Sequence, residues 1–142
     1  MNAVRNVIRV RDVMTTGVDL VDGVMTVADA LRVMTKADNM ALIVKKRHAD
    51  DEFGIVLLSD IARQVIAKDR APERVNVYEI MSKPVIAVAP AMDIRYCARL
   101  FDKFGLALAP VIEDDQVLGI VSYSDMVLRG LMRDFLAAAP KK

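Results

Sequence analysis

The stretch GIVSYSDM, residues 119–126, has a near-copy earlier in the chain, GIVLLSDI, residues 54–61. Gly, Ile, Val and the Ser-Asp pair coincide in place. The fourth position differs in kind, with Ser122 standing where the first copy has Leu57. A sequence that writes one segment twice is first of all a repeat, and the fold question becomes what unit is repeated.

Working outward, DVMTTGV (residues 12–18) matches EIMSKPV (79–85). Met14 and Met81 lie 67 positions apart, whereas Asp60 and Asp125 lie 65 apart, so the first copy holds two extra residues. They fit most simply in the polar KRHADDE (46–52), opposite EDDQ (113–116), because hairpin loops tolerate insertion. Between the anchors, Val27, Ala30, Leu31 and Met34 in one copy, and Ile94, Cys97, Ala98 and Phe101 in the other, follow the i, i+3, i+4, i+7 spacing of an amphipathic helix. Thr26 and Asp93 precede these stripes as N-caps, with Asp29 near the capping-box position. Gly105 suits a C-cap of the second helix; the first helix ends near Asp38-Asn39.

Two apolar runs follow each helix, MALIV and FGIVLL, then LALAPVI and VLGIVSY, each pair reading as two strands joined by a polar turn. VDLV (18–21) and VIAV (85–88) supply a short strand before each helix. A further helix is expected after each Ser-Asp, from Ile61 and from Met126. Each copy is thus β-α-β-β-α, spanning residues 10–66 and 77–133, with a connector at 67–76 where Pro72 limits helix continuation. So small a unit buries little alone, so the two copies are expected to pack sheet against sheet around one shared core, with a cleft on each side of a pseudo-twofold axis.

Composition narrows the function. The chain is 142 residues, 54% hydrophobic, with net charge +1. That composition indicates a packed core, and the near-neutral balance argues against a dedicated nucleic-acid surface. There is no apolar run of membrane-spanning length and no secretory h-region at the start, so the cytoplasm is the expected location. Cys97 is the single cysteine and His48 the single histidine. Cys97 sits on an apolar stripe as a buried thiol. His48, beside Asp50 and Asp51 in a polar loop, makes a poor metal set. No nucleophile–base pair and no Walker-type loop is present, so no catalytic residue, metal or catalytic cofactor is expected. Lys45, Lys46 and Arg47 read as a solvated hairpin end, and the methionines as core filler.

DVMTT and EIMSK at the repeat starts, with GLALAPVIEDDQVLGIVSYSD and MALIVKKRHADDEFGIVLLSD, resemble the cystathionine-β-synthase (CBS) domain pair, or Bateman module, over roughly residues 10–131. The resemblance implies a mixed α/β (α+β) CBS-pair fold and a regulatory, non-catalytic role. It also implies an adenosine-containing ligand: AMP, ADP or ATP first, S-adenosylmethionine behind them. The family's ribose signature is met by Gly119, Ser122 and Asp125. A carboxylate can accept from both ribose hydroxyls, Ser122 and Ser124 add hydroxyls, and a helix start favours phosphate. In the first copy Ser59 and Asp60 remain but Leu57 replaces the hydroxyl, so the Asp60 site is expected to be the weaker.

The resemblance further implies a crosswise arrangement. The Asp125 site, with Ile120, would be completed by Thr15, Thr16, Gly17, Val18, Met40 and Ala41. The Asp60 site would be completed by Ser82, Lys83, Pro84, Val85, Ile86, Leu106 and Ala107. Arg129, Lys83 and Arg63 are candidate phosphate partners. A helix cap is the competing role for Asp125 and Asp60. The expected assembly is a homodimer whose shape reports ligand occupancy to a separate, unidentified protein, since little of the chain lies outside the repeats. The rival readings are a scaffold with empty clefts and, behind it, a nucleic-acid-binding regulator.

Overall fold

The computed structural model describes residues 7–137. Residues 1–6, part of the stretch read as lacking a secretory signal, lie outside them. The chain divides into two compact units, residues 17–85 and residues 1–16 together with 86–142. The opening of the first repeat therefore folds with the body of the second.

The 17–85 unit is built on a three-stranded sheet. β2 (Leu20–Val21) pairs in parallel with β3 (Ala41–Val44), and β3 pairs antiparallel with β4 (Gly54–Leu57). Ser82 adds a bridge on the far side of β4, opposite Ile55. α2 (Val27–Arg32) starts where expected, with Thr26 Oγ1 accepting from the Asp29 amide at 3.1 Å. It ends sooner than the apolar stripe suggests, and a 3₁₀ turn, Ala37–Asn39, follows. Leu31, on the expected apolar stripe, is 40% exposed. α3 (Leu58–Ile61) continues as a π-helical stretch, Ala62–Ile66, and α4 (Val77–Ile80) follows the connector.

The other unit repeats the plan. α1 (Val10–Val13) leads into β1 (Thr15–Thr16), which pairs antiparallel with β6 (Gln116–Ser122), and β6 pairs with β5 (Leu108–Glu113). Val88 bridges Val111 in parallel, as β2 does β3. α5 (Ile94–Phe104) is capped by Asp93, whose carboxylate accepts from the Arg95 amide at 2.8 Å, and ends at Gly105 with φ +67°. α6 (Tyr123–Asp125) runs through a π-helical stretch, Met126–Leu131, into α7 (Met132–Ala137).

Each unit has its own buried apolar cluster, around Leu42, Val56 and Val65 in one and around Val111, Val121 and Phe101 in the other. The 17–85 unit gains α4 and the Ser82 bridge from the second repeat, and the other unit gains α1 and β1 from the first, which enlarges the apolar area that a lone repeat could bury. One sequence expectation needs correction: the helices at the Ser-Asp pairs begin earlier than Ile61 and Met126. Leu57 and Ser122 are the residues before the first helical turn, and both Ser-Asp pairs lie inside it. Among the described residues no helix is long and apolar enough to cross a membrane.

Candidate functional site

The repeated glycines serve backbone approach. A Cβ on Gly119 would lie 2.2 Å from the Thr15 carbonyl oxygen, and one on Gly54 would lie 3.2 Å from that of Ser82. In both units the opening segment of a repeat is laid across a glycine, and that contact sets Thr15 opposite Ile120 and Ser82 opposite Ile55. Thr15 and Thr16 thereby join Ile120, Ser122, Ser124 and Asp125 in one unit, and Ser82, Lys83, Pro84 and Val85 join Ser59 and Asp60 in the other.

At the end of β6, Ser122 and Asp125 cap each other. The Ser122 amide donates to Asp125 Oδ2 at 3.0 Å, and the Asp125 amide donates to Ser122 Oγ at 3.1 Å. This reciprocal box satisfies two of the helix's unpaired amides. Asp125 Oδ1 is left with Arg129 Nε at 3.9 Å, while the Arg129 guanidinium donates to the Met14 carbonyl at 3.1 Å. The carboxylate is 15% exposed. Tyr123 donates its amide to the Ala107 carbonyl at 3.2 Å and rests its ring edge-on against Phe101. Ser124 is exposed.

The end of β4 has the same backbone and different side chains. The Leu57 amide donates to Asp60 Oδ2 at 2.9 Å, but Leu57 has no hydroxyl to return the bond. Asp60 Oδ1 is taken by Arg63 Nη2 at 2.8 Å. Both oxygens of Asp60 are thus engaged, whereas one oxygen of Asp125 has no hydrogen bond among the described residues.

The structure divides the remaining expected residues. Gly17, Val18, Met40 and Ala41 belong to the unit of Asp60, and Ile86, Leu106 and Ala107 to that of Asp125. Within its unit Met40 accepts from the Leu58 amide at 3.0 Å, so it abuts the Asp60 turn, as Ala107 abuts the Asp125 turn. Met40 holds φ +63°, a left-handed conformation uncommon for a side chain of its kind. Lys83 turns from Ser82 to the hairpin, its Nζ 2.7 Å from Asp51 Oδ1. Sequence reading missed Asp19, a buried carboxylate that accepts from the Thr35 and Lys36 amides at 3.0 and 2.6 Å and from the Thr35 hydroxyl at 2.9 Å. Burial opposes its charge, but these bonds and the nearby Lys36 ammonium together hold its pKa below the usual value.

The family described as CBS domain matches residues 10–67 and 77–130. The chain belongs to the CBS-domain family. Its fold is similar to that of the hexameric CBS-CP12 protein from bloom-forming cyanobacteria, with 38% identity, a TM-score of 0.83, and coverage of 95% of this chain and 76% of that one. The CBS-domain pair of MJ0100, solved with 5′-methylthioadenosine and S-adenosyl-L-methionine, shares the fold with a TM-score of 0.72 at 21% identity, over 94% of this chain and all of that one. Among curated proteins, the mitochondrial CBS domain-containing protein CBSX3 of Arabidopsis thaliana is 30% identical over 105 residues, 72% of this chain and 51% of that protein. The chain spans about half the length of the curated relatives it matches. The mixed helix-and-strand architecture is that of a CBS pair. The CBS repeats place a carboxylate at the first turn of a helix twice, and once, at Asp125, leave one of its oxygens without a hydrogen bond among the described residues.

Proposed function

We propose that this CBS pair is a regulatory, non-catalytic module that binds the adenosine part of a nucleotide (AMP, ADP or ATP, with S-adenosylmethionine as the lesser candidate) at the Ser122–Asp125 turn. The observation that carries the reading is Oδ1 of Asp125, which has no hydrogen bond among the described residues and only a 3.9 Å approach from Arg129, against an Asp60 whose two oxygens are both engaged. A carboxylate with a spare oxygen can accept from both hydroxyls of a ribose, and the Ser122 hydroxyl, used only as an acceptor, still has a proton to donate. Ser124 is exposed beside it. The adenosine shared by the two ligands in the MJ0100 structure supports the same class of ligand.

Occupancy would be read out by a homodimer and passed to a separate protein. Supporting self-association, Leu128, Leu131, Phe135 and Leu136 are each at least 58% exposed along the helix that leaves the turn. The hexameric CBS-CP12 neighbour also self-associates. The cytoplasm is the proposed compartment, since a lone buried cysteine suits a reducing interior.

One observation favours a second reading. Ser122 and Asp125 satisfy each other, as they would in a scaffold whose turn never meets a ligand. Calorimetric titration of AMP, ADP, ATP and S-adenosylmethionine, with thermal melts alongside, separates the two. A ligand at 100 times its dissociation constant stabilises by about 2.7 kcal/mol. Saturable binding lost in Asp125→Ala supports the sensor; four flat titrations leave the scaffold.

A further inference from the structure

The 17–85 unit holds a second concavity that the adenosine reading does not use. It lies at the opposite end of the sheet from Asp60. β3 and β4 pair with Ala41 opposite Leu57 at the Asp60 end and Val44 opposite Gly54 at the other. β2 and β3 run parallel, so both leave the sheet at that second end, β2 into Gly23-Val24 and β3 into Lys45. The Tyr78 amide donates to the Gly23 carbonyl at 2.9 Å and fixes α4 against the exit of β2. Asp51 folds the hairpin over the third side, accepting from the Arg47 amide at 2.8 Å and from Lys83 Nζ at 2.7 Å. The concavity, open to solvent on one side, holds about 560 Å³, within the range of small-molecule sites.

Its lining is of two kinds. Val24 and Tyr78, on its lining, are 73% and 54% exposed. Lys45, Arg47 and Lys83 face Asp22 and Asp51, leaving one surplus positive charge. Asp51 is already committed to Lys83 and the Arg47 amide. The Arg47 side chain is 75% exposed, with only a 3.6 Å approach to Asp51, and the Lys45 ammonium has no partner among the described residues. Two cations with spare donors share this lining with the exposed Tyr78 side chain. Guanidinium and ammonium groups match a phosphate's oxygens, and a tyrosine face matches a flat ring.

We propose that this cavity is a second ligand site, taking a phosphate monoester carried on a flat ring, with Lys45 and Arg47 on the phosphate and Tyr78 and Val24 against the ring. The site is independent of the Asp125 turn.

Titration of ¹⁵N-labelled protein with phenyl phosphate, phenol and inorganic phosphate tests it. Phenyl phosphate should give saturable amide shifts at Gly23, Val24, Lys45 and Tyr78, with affinity at least tenfold above that of either fragment. Lys45→Ala/Arg47→Ala, at exposed positions, should weaken it at least tenfold with the spectrum otherwise preserved, and Asp125→Asn should leave it unchanged. Absence of saturable shifts at those amides, equal binding of inorganic phosphate, or wild-type affinity in the double variant would each overturn the assignment.

Discussion

Arg63 Nη2 lies 2.8 Å from Oδ1 of Asp60, a bond with no counterpart in the second repeat, where the nearest arginine nitrogen stops 3.9 Å from Asp125. Arg63 is three residues beyond its aspartate and Arg129 four, and Arg129 is drawn instead to the Met14 carbonyl at the end of α1. Arg63 is 65% exposed, so the pair adds little to stability, yet it occupies the oxygen a ligand would need.

Releasing that oxygen should therefore create a second site. Leu57→Ser with Arg63→Ala restores the hydroxyl and frees Oδ1, and calorimetric stoichiometry with the tightest adenosine ligand should rise from one per chain toward two. Asp125→Asn in the wild-type background should lower affinity at least tenfold while keeping the helix start, because an amide oxygen can still accept from Ser122. A stoichiometry fixed at one in the double variant would show that something other than Arg63 and Leu57 closes the Asp60 turn.

Gly119→Ala should cost about 2–3 kcal/mol or more in chemical denaturation, since the added methyl would meet backbone, the Thr15 carbonyl oxygen, and only strand displacement relieves it. Gly54→Ala should cost less, because its nearest neighbour is the movable Met81 sulfur at 3.0 Å. Gly105→Ala meets nothing within 4 Å and should lose about 1 kcal/mol from the left-handed backbone alone. Met40→Gly, the reverse exchange at φ +63°, should be neutral or stabilising by up to about 1 kcal/mol.

These glycines mark what sequence could and could not carry. Thr26, Asp93 and Gly105 announced their helix ends because capping chemistry is local, and the two hairpins were plain from apolar runs broken by polar turns. The exchange of α1 and β1 between repeats entered only through the family resemblance, which set Thr15 and Thr16 beside Asp125, because the identity of a strand's partner is not written in its neighbours. Helix starts at Leu58 and Tyr123 were placed too late because an aspartate in the third helical position, accepting from the amide three residues back, looks in sequence like a cap that precedes the helix. The Ser122–Leu57 difference was legible as a lost hydroxyl, but not that Arg63 would close the same site. Asp19 interrupts an apolar run, and that polar break was the one available sign of a buried carboxylate.

Asp19 should be one of the carboxylates through which stability is lost in acid. Asp19→Ala leaves the Thr35 and Lys36 amides without their acceptor and should cost about 3 kcal/mol. Because the folded pKa lies below the ordinary 3.8, the contribution is complete above that value and is lost as pH falls through the lowered one. Denaturation midpoints of the wild type should drop below about pH 4. The same acid drop in Asp19→Ala would assign it to other carboxylates.

Cys97 gives the opposite pH signature. It is fully buried among Phe101, Val111 and Val121, and burial pushes its thiol up to about 11 from 9.0. Between those values the unfolded chain has released the proton and the folded chain has not, so stability falls as pH rises from about 9 to 11 and is unaffected by this group below 9. Cys97→Ala should flatten that alkaline loss while costing about 1 kcal/mol at neutral pH for the cavity it leaves. Native protein at pH 8 should resist iodoacetamide over hours and react only in denaturant, because a neutral thiol is a poor nucleophile. Rapid native alkylation would mean that α5 opens locally, exposing Cys97 without global unfolding.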